Sequence, residues 1–458
     1  MGKLVLRPDQ ETDVAHVLQH DRTLCANDLG TGKTVVAVES ALRSGAKTIL
    51  VVAPLVTFRG WAKTFMGQGG LVLRQITSRK DGAVAFGDLA EGRPGAYAIG
   101  WEFARSIGWA GVPSVDYLIL DEVHRASNRK AKQTKAVKGI TAQSILALSA
   151  TPFGNRMEGA WSVLNLLWPE QFPHFWPWVT KYLKTERNAA AERRTGQRVM
   201  KTLGEKNPGS VVESVPSWLC REAPYDIPLA VHEVYVTLPP AQLRVYKQFE
   251  KDALVWLQEN PLVAEYPAVK YARLRQLALA VPTITYDEYG EAHVTFEPDA
   301  KSAKIDALLN VLSDLPEGEP GLVWTSSKQF AKIVVSRLRA KGYTAEEYTG
   351  DTSRKDRTRI EDDFGKGTQF IVATQATAGT GLDGLQLVCR VEHVLSLSDN
   401  RVENTQAWGR LSRGGQERTV NRFLYRAEGT IEEAQNERLI SDEQLMNESL
   451  ERTASNAA

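Results

Sequence analysis

A glycine-rich segment near the start of the chain suits the phosphates of a nucleotide. Gly30 and Gly32 precede Lys33 and Thr34, between a short apolar run and a helical pattern. Glycines let backbone N–H groups face phosphate oxygens, a lysine supplies positive charge, and a threonine hydroxyl can bind Mg²⁺. The segment therefore predicts a triphosphate and Mg²⁺ site, with a ligand-free glycine-rich turn as the alternative. Asn27 stands where the strict pattern has Gly or Ala.

An acidic pair, Asp121 and Glu122, follows the apolar run 117–120. Acidic side chains at the carboxyl end of a parallel strand can reach a ligand on the neighbouring loop. Asp121 is expected to bind Mg²⁺, and Glu122 to orient and deprotonate an attacking water. A capping role at the start of a helix is the alternative for such a pair. The small residues 149–152 follow another apolar run and are expected to contact the two acids.

Two arginines, Arg410 and Arg413, lie three positions apart in a helical pattern. This spacing predicts that both side chains lie on one face of a helix. Such a pair can neutralise charge on a transferring phosphoryl group. Two solvated surface arginines are the alternative.

Short apolar runs alternate with amphipathic helical patterns in two parts of the chain, which predicts an α/β fold with two parallel-sheet lobes in tandem. The predicted strands span residues 23–26, 48–52, 96–99, 117–120 and 144–148, and then 322–324, 370–373, 394–397 and 420–425. Helices are predicted over 329–341 and 354–364. The segment between the lobes is predicted to be a largely helical insertion and linker, with its main helix over 240–281. The expected domains are 1–168, 169–300 and 301–458.

The composition is that of a globular protein that can bury a large core. The chain has 458 residues, of which 43% are hydrophobic and 24% charged, and these values exclude extensive disorder. Its longest apolar stretch, residues 49–56, is too short to cross a membrane. Three scattered cysteines and seven histidines show no zinc-binding spacing. With no secretion signal, we expect a cytoplasmic protein, or a nuclear one in a eukaryote.

The net charge of +1 hides an uneven distribution. Residues 125–138 contain six basic side chains and no acid, residues 181–206 are also mainly basic, and residues 426–452 are mainly acidic. Basic segments of this kind can face nucleic-acid phosphates, although a solvated surface is the alternative. The acidic C-terminal segment is expected to be a helix that is either solvated or binds a protein partner.

In this order, the segments resemble the helicase motifs of superfamily two, and their surroundings resemble the Swi/Snf branch of DNA-translocating ATPases. Residues 7–10 resemble the opening motif of the family, and 53–57 followed by Trp61 resemble the next. Residues 121–138 resemble the acidic box of the branch with its basic continuation. Residues 406–413 resemble the arginine-containing motif near the end. The resemblance implies two RecA-like lobes and spans nearly the whole chain.

The resemblance also implies roles for single residues. Gln10 would read adenine, which makes ATP the expected nucleotide, and Gly381 and Asp383 would line the ATP cleft between the lobes. Arg410 and Arg413 would be arginine fingers. The expected nucleic-acid contacts, mostly to phosphates and independent of base sequence, are Thr57, Arg129, Lys130, Thr325 and Thr374.

The function predicted from these resemblances is ATP-dependent movement along, or remodelling of, duplex DNA by a minimal motor of prokaryotic or viral type. The ATPase activity is expected to be stimulated by DNA. A strand-separating DNA or RNA helicase is the alternative, and a nucleic-acid-binding scaffold without catalysis is a third possibility. We expect a monomer that does not associate with membranes.

Overall fold

The computed structural model describes residues 5–109, 111–189, 192, 200–257, 260–264, 266–286, 292–378, 382 and 384–450. The chain divides into two compact units. The first unit comprises Met1–Pro224 and Glu443–Ala458, and the second comprises Tyr225–Asp442.

The first unit is built on a seven-stranded parallel sheet. The strands of this unit are β1 (Arg22–Cys25), β2 (Thr48–Ala53), β3 (Leu73–Ile76), β4 (Gly95–Gly100), β5 (Val115–Asp121), β6 (Ala142–Leu148), β7 (Leu183–Arg187), β8 (Met200–Glu205) and β9 (Trp218–Leu219). The sheet order is β3-β4-β2-β5-β6-β1-β9, while β7 and β8 form a separate antiparallel pair. The helices are α1 (Pro8–Val17), α2 (Lys33–Arg43), α3 (Phe58–Gly69), α4 (Arg79–Ala90), α5 (Trp101–Ala104), α6 (Lys132–Val137), α7 (Glu158–Leu167), α8 (Phe175–Tyr182) and α9 (Ser210–Glu213).

Helices cover both faces of this sheet, as the apolar strands require. Every residue of β2 is buried. Leu50 and Val52 pack into the core on one face, and Ile49 and Val51 pack into the core on the other. This alternation follows from the two-residue period of a strand and explains why a parallel strand has an unbroken apolar sequence.

The second unit is built on a six-stranded parallel sheet. The strands of this unit are β10 (Leu229–Val236), β11 (Leu254–Leu257), β12 (Asn260–Val263), β13 (Thr283–Tyr286), β14 (Ala292–Thr295), β15 (Gly321–Thr325), β16 (Ala345–Tyr348), β17 (Phe370–Thr374), β18 (Val391–Val394) and β19 (Val420–Ala427). The sheet order is β10-β19-β18-β15-β17-β16, and β11/β12 and β13/β14 form separate antiparallel pairs. The helices are α10 (Pro240–Asp252), α11 (Pro267–Leu279), α12 (Ala303–Asp314), α13 (Lys328–Ala340), α14 (Arg354–Asp363), α15 (Gln375–Ala378) and α16 (Arg401–Trp408). The last helix, α17 (Ile431–Leu450), begins in this unit, and its residues from Glu443 onward belong to the first unit.

The α/β class and the two parallel sheets are confirmed. One predicted strand, 394–397, is shifted, because β18 ends at Val394. This strand contains Glu392 and His393, which are both fully buried. Arg422 on the neighbouring strand pairs with Glu392, and the Tyr425 hydroxyl on the same strand hydrogen-bonds to Nδ1 of His393. The local sequence does not show these partners.

The segment 169–300 is not largely helical as predicted, since its described residues contain strands and helices in similar amounts. The predicted helix over 240–281 is two helices separated by the β11/β12 hairpin. The first of these helices ends at Asp252 and is followed by Ala253, which has a left-handed φ of 54°. Pro267 begins the second helix. Proline lacks the N–H that would continue a helix, so two helices satisfy the backbone better than one.

The acidic C-terminal helix α17 is packed on one side. Glu432, Leu439 and Met446 are buried, so a fully solvated helix is excluded for this part of the chain. Across the part of the chain that the structure describes, no helix combines the length and apolar character needed to span a membrane.

Candidate functional site

The glycine-rich segment follows β1 at the carboxyl edge of the first sheet. Gly30 and Gly32 have φ values of 76° and 86°, a region that favours glycine over other residues. A Cβ atom at Gly32 would also collide with Nε2 of Gln10. Helix α2 begins at Lys33, so its unpaired N–H groups and its positive dipole end are directed at this loop. This is the geometry that favours a phosphate.

Helix α1 places Gln10 against the same loop. The side chain is buried, and its Nε2 donates to the carbonyl oxygen of Thr31 at 3.0 Å. Its Oε1 accepts a hydrogen bond from the backbone N–H of Arg7, also at 3.0 Å. The residue predicted to read adenine therefore lies next to the residues predicted to hold the phosphates.

The ammonium group of Lys33 lies within the loop, where Nζ donates to the carbonyl oxygens of Asn27 at 2.7 Å and Asp28 at 2.8 Å. Burial lowers its pKa, and this effect is opposed by the nearby charges of Asp121 and Glu122 among others. An anionic phosphate would favour the charged form of this lysine.

The carboxylate of Asp121 lies at the end of β5, where its Oδ2 accepts from Trp61 Nε1 at 2.9 Å. The Thr57 hydroxyl is 3.4 Å from the same oxygen. Burial and the charge of Glu122 raise the pKa of Asp121 to about 6. A divalent cation would favour the ionised form, so the residue fits a cation.

The described residues contain no cluster of three or more His, Cys, Asp or Glu side chains with metal-binding geometry. A single carboxylate and a hydroxyl are the protein ligands that Mg²⁺ takes when triphosphate oxygens and waters complete its shell. Asp121 and Thr34 therefore suit Mg²⁺ bound together with a nucleotide better than a cation bound by protein alone.

The backbone of Glu122 is left-handed, with φ 53° and ψ 53°. Non-glycine residues in this region are strained and cluster at functional sites. The Glu122 carboxylate lies 3.1 Å from Nδ1 of His124 and 3.3 Å from the hydroxyl of Ser149. Although a 3₁₀ helix starts at Val123, Glu122 makes no side-chain capping bond. The capping alternative is therefore excluded, and the expected contact from residues 149–152 is present.

A buried polar network explains the departure of Asn27 from the strict loop pattern. Asn27 Nδ2 donates to Asp13 Oδ2 at 2.6 Å, and its Oδ1 accepts from the backbone N–H of Arg221 at 2.9 Å. Arg221 Nε donates to the other Asp13 oxygen at 2.5 Å. The network joins the loop to α1 and to the chain after β9. No local sequence pattern predicts this network, because Asp13 and Arg221 are 208 residues apart.

Replacing Asn27 with Ala is expected to destabilise the first unit by about 1–3 kcal/mol, because Oδ2 of Asp13 and the backbone N–H of Arg221 each lose their hydrogen bond to the amide. Apparent ATP affinity should fall as the loop loosens. Hydrogen exchange of peptides covering α1 and the loop would measure the first effect and nucleotide titration the second. The exposed Gln19→Ala variant is the control, and equal protection in both variants would contradict the prediction.

The predicted nucleic-acid contacts differ in exposure. Thr325 and Thr374 are buried, and their hydroxyls bond to Ser396 and Thr377 respectively. Thr57 donates to the carbonyl oxygen of Pro54.

The two basic positions predicted to contact nucleic acid lie between β5 and α6. Lys130 is exposed, whereas Arg129 is half-buried with its guanidinium over the ring of Phe175. Arg129 and Lys130 are the two charged residues among the predicted nucleic-acid contacts, and both are at least partly exposed.

Arg410 and Arg413 lie in the second unit, beyond the end of α16 at Trp408. The prediction that they share one helical face is therefore wrong, because the helix stops at Gly409. Both are half-buried, and Arg410 Nη1 donates to the carbonyl oxygen of Leu382 at 2.7 Å. The predicted residues Gly381 and Asp383 lie outside the described residues.

A buried network in the sheet lies under this arginine segment. Glu392 accepts from Arg422 Nε at 2.7 Å and from Trp324 Nε1 at 2.8 Å. The Arg422 guanidinium lies 4.5 Å from the ring centroid of Trp408, the last residue of α16. The last residue of α16 thus contacts a buried ion pair that no sequence pattern predicted.

Comparisons with known families match two segments of the chain. Residues 109–270 match the SNF2-related domain, and residues 303–415 match the helicase conserved C-terminal domain.

Several curated proteins are similar to this chain. The putative ATP-dependent helicase/translocase YwqA of Bacillus subtilis is 24% identical over 89% of this chain, and Protein CHROMATIN REMODELING 24 of Arabidopsis thaliana is 22% identical over 69%. The chain spans 44% and 32% of the lengths of these two relatives. Among solved structures, the Sulfolobus solfataricus SWI2/SNF2 ATPase core in complex with dsDNA is 19% identical, with a TM-score of 0.43 over 98% of this chain and 94% of that one.

Proposed function

Since the chain belongs to the SNF2-related family of helicase-like proteins, we propose that it is a DNA-stimulated ATPase that moves along or remodels duplex DNA. The observation that carries the proposal is that Lys33 begins α2 in the loop after β1, while Asp121 ends β5 and Glu122 follows it, at the carboxyl edge of the same parallel sheet. Residues 1–168 would form the nucleotide-binding lobe, 169–300 the insertion and linker, and 301–458 the second lobe.

When bound, Mg²⁺-ATP supplies the phosphoryl group that is transferred to water. Gln10 would bind the adenine, and Lys33 with the N–H groups of the loop would bind the phosphates. Thr34 and Asp121 would hold Mg²⁺.

Glu122 would take the proton of the attacking water. Its carboxylate is oriented for this role by the left-handed backbone and by the contacts with His124 and Ser149. Arg410 and Arg413 would neutralise charge on the transferring phosphoryl group.

Contacts to DNA would be made mostly to phosphates, through Arg129, Lys130 and Thr57, with Thr325 and Thr374 from the second unit. Phosphate contacts carry little base specificity, and they release counterions. DNA binding should therefore weaken steeply as salt concentration rises. We expect the active form to be a monomer.

Blunt duplex DNA is expected to stimulate ATP hydrolysis by the purified protein, with less stimulation by single-stranded DNA or RNA. Lys33→Ala should lower the stimulated rate by at least about 10²- to 10³-fold, because it removes a positive charge from the phosphate site. Arg413→Ala should lower it by about 10³- to 10⁵-fold if the residue acts as an arginine finger. Steady-state phosphate release would measure these rates.

Displacement of a third strand from an intact duplex would support translocation along the duplex. Stimulation by single strands alone, with unwinding of a forked substrate, would replace this proposal with a strand-separating helicase. Unchanged function of Lys33→Ala in the absence of ATP hydrolysis would favour a nucleic-acid-binding scaffold without catalysis.

A further inference from the structure

Two cations and three aromatic rings form a connected cluster on the first unit. The Arg129 guanidinium lies 4.1 Å from the ring centroid of Phe175, and Lys138 Nζ lies 5.3 Å from that of Trp161. The ring of Phe175 contacts Trp161 edge-on at 5.3 Å and Trp176 at 5.0 Å. We call Arg129, Lys138, Trp161, Phe175 and Trp176 the cation–aromatic cluster.

The charge of this cluster is not balanced by acidic side chains. Within the described ranges, neither Arg129 nor Lys138 has a carboxylate within salt-bridge distance, and the Lys138 ammonium donates to the amide oxygen of Asn165. Burial, together with the charge of Arg129, lowers the pKa of Lys138. Two like charges are therefore held near each other, which an anion between them would stabilise.

The indole of Trp176 is available to a ligand. Its residue is 57% exposed, although Trp161 and Trp178 nearby are almost completely buried. The contact with Phe175 is T-shaped, at 66° between the rings, and Phe175 is also the ring under the Arg129 guanidinium. An exposed tryptophan whose neighbouring ring packs against an arginine combines the two features that bind nucleic-acid strands, base stacking and attraction to phosphate.

Resting on the DNA-dependent function proposed above, we propose that the cation–aromatic cluster binds an unpaired nucleotide adjoining the duplex. Trp176 stacks on the base, and Arg129 and Lys138 contact the flanking phosphates. Bases inside a duplex have both faces covered by their neighbours, so the indole is expected to stack on an unpaired base. Phe175 holds the Arg129 guanidinium in place, which lowers the entropy that is lost on binding.

The expected consequence is a preference for duplexes with a single-stranded overhang. Fluorescence anisotropy, without nucleotide, would compare a blunt duplex with the same duplex carrying a short 3′ or 5′ overhang. We expect about tenfold tighter binding of one overhang substrate, in line with the contribution of one stacked base. Trp176→Ala should remove this preference and leave blunt-duplex affinity unchanged, whereas Trp176→Phe should keep part of it.

Matched variants separate stacking from charge. Tyr235→Ala removes an aromatic ring that is 61% exposed elsewhere in the chain, and it should leave the preference intact. Lys138→Gln should weaken overhang binding and reduce its salt dependence by about one phosphate contact.

An unchanged preference in Trp176→Ala would overturn the inference, and so would equal losses of affinity for blunt and overhang substrates. Competition by poly-glutamate as strong as that by the overhang strand would also overturn it, since an acidic peptide offers charge without bases. In each of these cases, binding of blunt duplex by the unmodified protein would leave the proposed function standing. Failure to bind any nucleic acid would contradict the proposed function itself.

Discussion

Replacing Glu122 with Gln is expected to lower the rate of ATP hydrolysis by about 10²- to 10⁴-fold, the usual contribution of a general base. The amide keeps the size of the side chain and can still contact Ser149, but it cannot accept a proton from water. ATP binding should persist, because Lys33 and Thr34 are unchanged. Single-turnover phosphate release would measure hydrolysis, and a fluorescent ATP analogue would measure binding.

The exposed Glu102→Gln variant is the matched control and should hydrolyse ATP at the normal rate. A Glu122→Gln protein with near-normal hydrolysis would show that the proton goes to another group. Ser149→Ala should have a smaller effect than Glu122→Gln, because its hydroxyl only orients the carboxylate through the 3.3 Å contact.

Replacing Lys304 with Met is expected to destabilise the second unit by about 3–5 kcal/mol, the cost of removing one partner from a buried ion pair. Lys304 is fully buried, and Nζ donates to both carboxylate oxygens of Glu432 at 2.6 and 2.7 Å. It also donates to the carbonyl oxygens of Leu395 and Tyr425. Methionine fills a similar volume but leaves the Glu432 charge buried without a cation.

Hydrogen exchange of peptides from α12 and β19 would measure this loss within the second unit. The exposed Lys301→Met variant, three positions earlier, should exchange normally. The double variant Lys304→Met/Glu432→Gln should recover part of the lost protection, because no charge is then left unpaired. Normal protection in Lys304→Met would show that the ion pair contributes little to stability.

Local sequence patterns determined the two parallel sheets and the nucleotide-binding edge. The glycines before Lys33 and the acidic pair after an apolar run each occupy a few consecutive residues. Because parallel strands end at the same edge of a sheet, the predicted strands were enough to place Lys33, Asp121 and Ser149 at one edge. Apolar strands such as β2 were recognised because both of their faces are buried, which leaves a continuous apolar run.

The sequence patterns did not predict several of the strands that contain charged residues. Strands β3 and β16 lie at edges of their sheets and contain charged residues, so neither shows an apolar run. Strand β18 was displaced in the prediction because Glu392 interrupts its apolar pattern. That glutamate is compatible with a buried strand because Arg422 of β19 forms an ion pair with it.

Tertiary structure alone decided how the site is supported. Asn27 looked like a departure from a loop pattern, yet Asp13 and Arg221 make it a buried anchor of that loop. Arg410 lies outside a helix because α16 stops at Trp408. The partners in these contacts lie far apart along the chain, and a local pattern shows which side chains could react but not which distant groups compensate their burial.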